Sequence, residues 1–255
     1  MSNSNKAREL VEAFSTGSSK VLDYVSDKEY IQHNLSFPDG KSAIHGFFAD
    51  KPTGIDIAVH RVFEDGGLVV VHSTYGGVWN DNQPQIVFDV FRFEDGLTVE
   101  HWDNLENEAP PNLSGHTEVD GPTQPSDHAK TDENKAIARK FVDTVLLQED
   151  YSGLDQFFHG NDYINHNPGA ADGVTGLNDA LAAMTRAGLT MKYDSIHQII
   201  GEGDLVLSLC EGSLGGAHKS FYDLWRIEGG KVAEHWDVVA DIPEKSEWNN
   251  ENGKF

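Results

Sequence analysis

The sequence is poor in cysteine and in positive charge. Its 255 residues include one cysteine, Cys210, so no disulfide can form within the chain and we expect a reducing compartment. Lysine and arginine number 19 against 42 aspartates and glutamates, which gives a formal net charge of −23. A surface this acidic argues against nucleic acid and anionic membranes as partners.

Long hydrophobic runs and familiar catalytic motifs are also missing. No segment approaches the roughly 20 apolar residues of a membrane-spanning helix, and residues 1–10 lack the apolar centre of a signal peptide. We therefore predict a cytoplasmic protein with no membrane partner. The chain contains no glycine-rich phosphate loop, no His-Glu-x-x-His and no Gly-x-Ser-x-Gly.

What the sequence does contain is one stretch that occurs twice. Residues 86–105 and 221–239 both carry Asp-x-x-Arg, a glycine-bearing turn and then Glu-His-Trp-Asp. Asp89 matches Asp223 and His101 matches His235, since 223 − 89 and 235 − 101 both equal 134. Apolar packing gives no reason to keep Asp, His and Asp twice, so we interpret the repeat as a candidate site.

The repeated stretch has the pattern of two strands joined by a turn. Side chains alternate between the faces of a strand. With three-residue turns at 94–96 and 228–230, counting predicts Asp89 directly opposite His101 and Asp223 directly opposite His235. Such a carboxylate fixes the tautomer of the imidazole and favours its protonated form. A buried ion pair that only stabilises the hairpin is the alternative interpretation.

The duplication predicts two domains with an α+β fold. We place domain 1 at residues 1–106, a linker rich in proline, glycine and serine at 107–130, domain 2 at 131–242 and a polar tail at 243–255. Each copy shows helical patterns, a loop with histidine, another helix and then four or more antiparallel strands, with the helices on one side of the sheet. The tail is expected either to dock on the body or to be disordered.

Three further histidines are candidates. His33 and His166 each follow a Tyr-Ile pair at the same place in the two copies, and we predict cavity-wall residues that hydrogen-bond a substrate oxygen, or else loop-fixing residues. His72 lies in a run of valines, where Leu209 takes its place in the second copy. It is either a site residue or a satisfied core histidine.

Taken as a set, these motifs carry a family resemblance. Tyr-Ile-Gln-His-Asn, Asp-Gly, Val-His-Ser, Asp-Val-Phe-Arg-Phe and Glu-His-Trp-Asp resemble the SnoaL-like polyketide cyclase family of the nuclear-transport-factor-2-like superfamily. The resemblance covers both halves and implies cone-shaped domains, each a curved antiparallel sheet wrapped around N-terminal helices, with a cavity in its concave face. Family members are often dimers through the sheet, which implies an intrachain pseudo-dimer and leaves further homo-oligomers open.

The resemblance also implies a cofactor-free acid–base enzyme. Its small-molecule substrate would be a mostly apolar carbonyl or hydroxyl compound, and the reaction a cyclisation, isomerisation, dehydration or hydrolysis. His101 would be the general acid–base, Asp89 its orienter and Asp103 a second carboxylate, with His33 and His72 holding the substrate oxygen. The equivalent residues of the second copy are Asp223, His235, Asp237 and His166. Because the second copy lacks His72, we predict that the first domain carries the principal activity.

Two alternatives come from other classes of protein. His33, His72 and His101 with a carboxylate would suit zinc or another transition metal ion if they converge, although no metal site is predicted from spacing alone. A non-catalytic module that binds small molecules is the other alternative, because a fold does not determine a function.

Overall fold

The computed structural model describes residues 1–50 and 53–255, including the side chains of all of these except residues 49 and 50. The chain divides into two compact units, Met1–Glu108 with Ile242–Phe255, and Ala109–Asp241. The segment predicted as a linker therefore lies largely in unit 2, and the tail lies in unit 1. The predicted boundaries, the pseudo-dimer and the cytoplasmic location stay predictions. None of the described helices is long and apolar enough to cross a membrane.

In its described residues, 1–50, 53–108 and 242–255, unit 1 contains two α-helices, three short 3₁₀ helices and five strands. The helices are α1 Asn3–Thr16, Ser19–Tyr24, α2 Lys41–Asp50, Trp79–Asn82 and Lys245–Glu247, and the strands are β1 Ile31–Gln32, β2 Ile55–Asp65, β3 Leu68–Gly77, β4 Gln85–Glu94 and β5 Leu97–Asn107.

Helix α1 shows how the local sequence sets an element. The Ser2 side chain accepts a hydrogen bond from the Asn5 backbone N–H at its start, and Gly17 ends it in the left-handed conformation (φ 65°). Leu10 and Val11 on its apolar face are buried. That face packs against β2 and β3 and forms one wall of the unit's core.

Unit 2 repeats this arrangement. Its helices are 3₁₀ His128–Lys130, α3 Thr131–Phe141, a π-helical continuation Val142–Leu147, 3₁₀ Leu154–Phe157 and α4 Gly173–Arg186, and its strands are β6 Ile164–Asn165, β7 Met191–Glu202, β8 Leu205–Leu214, β9 Ala217–Glu228 and β10 Lys231–Asp241.

The two sheets have the same topology. The strand order is β1-β5-β4-β3-β2 in unit 1 and β6-β10-β9-β8-β7 in unit 2. In each sheet, the four long strands pair antiparallel. The two-residue strands β1 and β6 run parallel to β5 and β10, respectively. The predicted α+β fold is confirmed in both units. The sheets are mixed rather than purely antiparallel, because β1 and β6 run parallel to their neighbours. These two strands were not predicted, since a strand of two residues has too little periodicity to be recognised in the sequence.

Candidate active site

The register of the central hairpin differs from the prediction by two residues. Asp89 lies opposite Asp103, and Phe91 lies opposite His101. The turn is the two residues 95–96, and an irregularity then shifts the register between Arg92 and Phe93. Because a shift of two leaves every side chain on its predicted face, Asp89 and His101 still lie on one surface.

In unit 1, His101 bridges a carboxylate and an amide. Its Nε2 lies 3.0 Å from Asp89 Oδ1, and its Nδ1 lies 3.0 Å from Gln32 Oε1. The same Gln32 oxygen accepts a hydrogen bond from the Asn34 backbone N–H at 2.8 Å. An atom that accepts from a backbone N–H is the amide oxygen, so His101 Nδ1 must carry its proton. The Phe91 ring stacks on the imidazole at a centroid distance of 4.6 Å.

A second carboxylate, Asp103, lies beside this pair. Its Oδ2 accepts a hydrogen bond from Asn34 Nδ2 at 2.5 Å. Its Oδ1 lies 3.5 Å from Lys254 Nζ, and that ammonium donates to the Asp103 backbone oxygen at 2.6 Å. Burial lowers the pKa of Lys254, and Asp103 opposes this shift. The C-terminal tail therefore delivers a buried positive charge to the site.

The tail is held against the loop that carries these residues. Asn250 Nδ2 donates to the backbone oxygens of Asn34 and Phe37, each at 2.9 Å. Asn252 Nδ2 donates to the Gln32 backbone oxygen at 3.0 Å. Amide side chains of the tail thus donate to backbone carbonyls of β1 and of the loop after it, and these hydrogen bonds hold the tail in place.

Unit 2 contains the same constellation with one difference. His235 Nε2 lies 3.0 Å from Asp223 Oδ1, and Asn167 Nδ2 donates to Asp237 Oδ2 at 2.7 Å. Asn165, at the place of Gln32, uses its side-chain oxygen for the Asn167 backbone N–H. Within residues 1–50 and 53–255, His235 Nδ1 has no hydrogen-bond partner, so it is available to a ligand.

Burial and neighbouring charges shift several pKa values in these clusters. Burial raises the pKa of Asp89, although His101 and Tyr75 partly oppose this. Burial also raises the pKa of Asp237, with Asp223 adding to the shift. For His235, burial favours the neutral ring, but Asp223 and Asp237 outweigh it and raise its pKa.

Each cluster opens into a largely apolar pocket. The pocket of unit 1 has a volume of roughly 670 Å³ and that of unit 2 roughly 750 Å³, open mouths included. Aromatic side chains such as Phe14 and Trp79 line the first, whereas Phe141 and Leu177 are among those lining the second. Both pockets would hold a small, mostly apolar molecule against two carboxylates and an imidazole.

A tyrosine donates to the first carboxylate in each unit, yet from different strands. Tyr75 on β3 donates to Asp89 Oδ2 at 2.9 Å, whereas Tyr193 on β7 lies 3.2 Å from Asp223 Oδ2. Tyr75 pairs with Ile57 across the strands, and Tyr193 pairs with Gly212. The tyrosine thus belongs to the β3 member of the cross-strand pair in unit 1 but to the β7 member of the corresponding pair in unit 2. A comparison of equivalent positions in the two copies therefore misses it.

The structure corrects the expected positions of His33 and His166. Neither side chain is among those that line the two pockets described above. His33 Nδ1 donates to the Gly253 backbone oxygen at 2.9 Å, its Nε2 lies 2.9 Å from Glu100, and its ring stacks on Trp102. The strand pattern explains this, because the Glu100 face of β5 lies opposite the His101 face.

The expected position of His72 in the cavity is also wrong. His72 pairs with Phe88, whereas its neighbour Val71 pairs with Asp89, so His72 lies on the opposite face of the sheet from Asp89. There it stacks on Phe88 and lies 3.0 Å from Arg61. His72 therefore gives no reason to place the principal activity in the first domain.

Asp89, His101 and Asp103 have ligand atoms within 4.8 Å of one another, as do Asp223, His235 and Asp237. This spacing could hold a cation. In unit 1, however, the Lys254 ammonium lies 3.5 Å from Asp103 Oδ1 and would repel a cation bound there. The donor set of unit 1 therefore fits proton transfer better than metal binding.

The family model of the SnoaL-like domain matches residues 7–101 and 138–235, more than half of the chain. The chain belongs to the SnoaL-like family. The two matched segments agree with the resemblance of both halves, and this SnoaL-like chain carries the domain in tandem. No curated protein matches it.

Several solved structures resemble single halves of this SnoaL-like chain. IdmH of Streptomyces antibioticus, described as a candidate polyketide cyclase, is 17% identical, with 42% of this chain and 93% of that chain covered and a TM-score of 0.34. A candidate ketosteroid isomerase of Kribbella flavida is 15% identical, with 43% and 81% covered and a TM-score of 0.36. An NTF2-like protein of unknown function from Cytophaga hutchinsonii is 12% identical, with 42% and 91% covered and a TM-score of 0.35.

Proposed function

We propose that the chain is a cofactor-free acid–base enzyme of the cyclase or isomerase type, acting on a small, mostly apolar carbonyl compound. One observation carries this proposal. Within residues 1–50 and 53–255, the buried Oδ1 atom of Asp237 accepts no hydrogen bond, whereas Asp103 Oδ1, which also accepts none, faces the Lys254 ammonium at 3.5 Å. Buried polar atoms almost always have a partner. Beside an imidazole and an apolar pocket, such an oxygen suits a group that exchanges a proton with a substrate.

The unit 2 site is the better candidate for the principal activity. Asp223 accepts from His235 Nε2 and thereby leaves the Nδ1 lone pair directed away from it. In unit 1, by contrast, Nδ1 of His101 is committed to Gln32. His235 would be the base, Asp223 its orienter, and Asp237, whose raised pKa favours its neutral form, the acid.

The proposed reaction moves two protons and returns both. His235 Nδ1 removes a proton from the carbon next to a carbonyl, while Asp237 donates its proton to the carbonyl oxygen. The products are an enol, an imidazolium held by Asp223, and the Asp237 carboxylate. Isomerisation follows when the imidazolium protonates a different carbon and Asp237 recovers the enol proton. Ring closure follows when the enol carbon instead attacks a second carbonyl group, while Asp237 recovers the enol proton and the imidazolium protonates the new alkoxide oxygen.

In unit 1, Asp89, His101 and Asp103 would have the corresponding roles at a lower rate. His33, His166 and His72 are left out of the proposed chemistry, since their side chains do not line the pockets. The small-molecule substrate remains the only partner that this function requires.

Hydrogen–deuterium exchange tests the proposal without knowledge of the natural substrate. 2-Tetralone, a small apolar ketone, is incubated with the protein in D₂O, and loss of its α-proton signals is followed by NMR. We expect catalysed exchange that His235→Ala lowers by ~10²-fold or more, as removal of a positioned acid–base group usually does. His101→Ala is the matched control in the other repeat and should retain most of the rate. Undiminished exchange in folded His235→Ala would contradict the assignment.

A further inference from the structure

A second cluster of imidazoles and a carboxylate lies in unit 2, among residues that line neither pocket. His116 and Asp120 precede α3, and His166 follows β6. Their ligand atoms all lie within 4.8 Å of one another. His166 Nδ1 is 2.7 Å from Asp120 Oδ1, and His116 Nδ1 is 3.3 Å from Asp120 Oδ2.

The opposite nitrogen of each ring faces another carboxylate. His166 Nε2 lies 2.8 Å from Glu234 Oε1, and His116 Nε2 lies 3.2 Å from Asp172 Oδ2. Histidines that bind metals almost always hold their other ring nitrogen against a carboxylate, a carbonyl or water. Both rings are therefore oriented with Nδ1 towards Asp120, as ligands of one ion would be.

The surroundings fix this geometry further while leaving access from solvent. The His166 ring stacks on Trp236 at a centroid distance of 4.5 Å, and Trp236 Nε1 donates to the Asp120 backbone oxygen at 3.0 Å. The side chains of His116 and Asp120 are 29% and 43% exposed. An ion could thus reach a site whose buried ligand, His166, is already held rigidly.

We propose that His116, Asp120 and His166 bind a divalent ion of the zinc type through two Nδ1 atoms and a carboxylate. Donor atoms around a tetrahedral zinc ion lie about 3.3 Å apart, since the bonds are about 2.0–2.1 Å long. The two nitrogens face different oxygens of Asp120, at 2.7 and 3.3 Å, so the carboxylate must turn one oxygen to the ion and the shorter contact must lengthen. The Thr117 carbonyl oxygen, 2.8 Å from His166 Nδ1, or a water completes the coordination. Ring protons on Nδ1 leave when the ion binds, and the ion fastens residues 109–130 to the rest of unit 2.

Unit 1 provides an internal comparison. Asn252 takes the place of His116, because its side chain contacts Asp39 as His116 contacts Asp172. The Gly253 carbonyl likewise takes the place of the Thr117 carbonyl against His33. An amide thus replaces the imidazole, and we expect no ion at this position of unit 1.

Titration of the chelator-treated full chain with zinc chloride, followed by calorimetry, tests the proposal. We expect one zinc per chain. His116→Asn, which copies the arrangement in unit 1, should weaken binding at least about 100-fold, and Asp172→Asn about 10–100-fold. His128→Asn is the matched control, because that imidazole is 62% exposed and 3.4 Å from Glu202, and it should bind like the wild type.

Two further measurements keep the test decisive. Zinc should raise the thermal midpoint of the wild type and of His128→Asn but not of His116→Asn, which also shows that each variant is folded. His235→Asn should keep zinc binding, which separates this cluster from the pocket. The proposal is overturned if zinc does not bind stoichiometrically, if His116→Asn binds like the wild type, or if His235→Asn alone abolishes binding. If zinc does not bind, the cluster is a set of hydrogen bonds and ion pairs only.

Discussion

Replacing Lys254 with methionine tests whether the tail completes the unit 1 site. The Nζ–Oδ1 distance to Asp103 is 3.5 Å, and both side chains are at most 10% exposed. At an effective dielectric constant near 20, two unit charges at this distance attract by about 5 kcal/mol, before the cost of burying them. Removing one partner of a buried pair typically costs ~3–5 kcal/mol, because the other charge is left uncompensated. We expect Lys254→Met to lower the free energy of unfolding of unit 1 by about 3 kcal/mol, since a tail can partly lift and admit water.

Urea unfolding followed by fluorescence measures this loss, and a double-mutant cycle with Asp103→Asn isolates the pair. We expect a coupling energy above about 2 kcal/mol, since the double variant leaves no buried charge behind. Lys245→Met is the control in the same tail, because that ammonium is 69% exposed beside Glu251 and should contribute at most about 1 kcal/mol. If Lys254→Met matches Lys245→Met, the tail does not hold a charge against Asp103 and the reasoning fails.

Three other outcomes follow from the sites. Catalysed exchange should show a bell-shaped pH profile. The rate should rise as the His235–Asp237 pair loses its first proton and fall as the pair loses its second, and the two apparent pKa values belong to the pair. A rate that does not vary with pH would exclude these groups. Tyr75→Phe should cost about 1.5–3 kcal/mol of stability in urea, because it removes a donor to the buried Asp89 carboxylate; an unchanged midpoint would show that this hydrogen bond contributes nothing. His72→Leu, which copies the second repeat, should leave the tetralone exchange rate unchanged because His72 lies on the opposite face from Asp89; a tenfold loss would place it back in the chemistry.

Alternation along strands made much of the site predictable. The faces of Asp89, His101 and Asp103 follow from a period of two, which survives any even change of register. The directly opposed pairs were wrong in both repeats, because the register shifts between Arg92 and Phe93 and between Val232 and Glu234 leave no signature in residue types. A strand's face can therefore be predicted more securely than its partner residue.

The remaining differences have physical causes that span the chain. His72 was predicted to line the cavity because an imidazole can transfer protons. The face on which it lies depends on the register between β3 and β4, which the sequence of the loop between them does not reveal. Tyr75 and Tyr193 escaped the repeat comparison because they occupy different strands. Lys254 was missed because its role depends on Asp103, 151 positions away, and an amide-rich tail has no periodicity that would predict docking.

The tail also affects the order in which the two units can complete their folding during synthesis. Unit 2 is one continuous segment, Ala109–Asp241, whereas unit 1 needs Ile242–Phe255 in addition to its first 108 residues. Domains usually fold as they leave the ribosome, N-terminal first. In this chain that order is reversed for the last step, because the loop around Asn34 and the buried Asp103 must wait until all of unit 2 has been translated. Proteolytic cleavage after Asp241 would therefore separate unit 1, the half that was made first, from a segment that it needs.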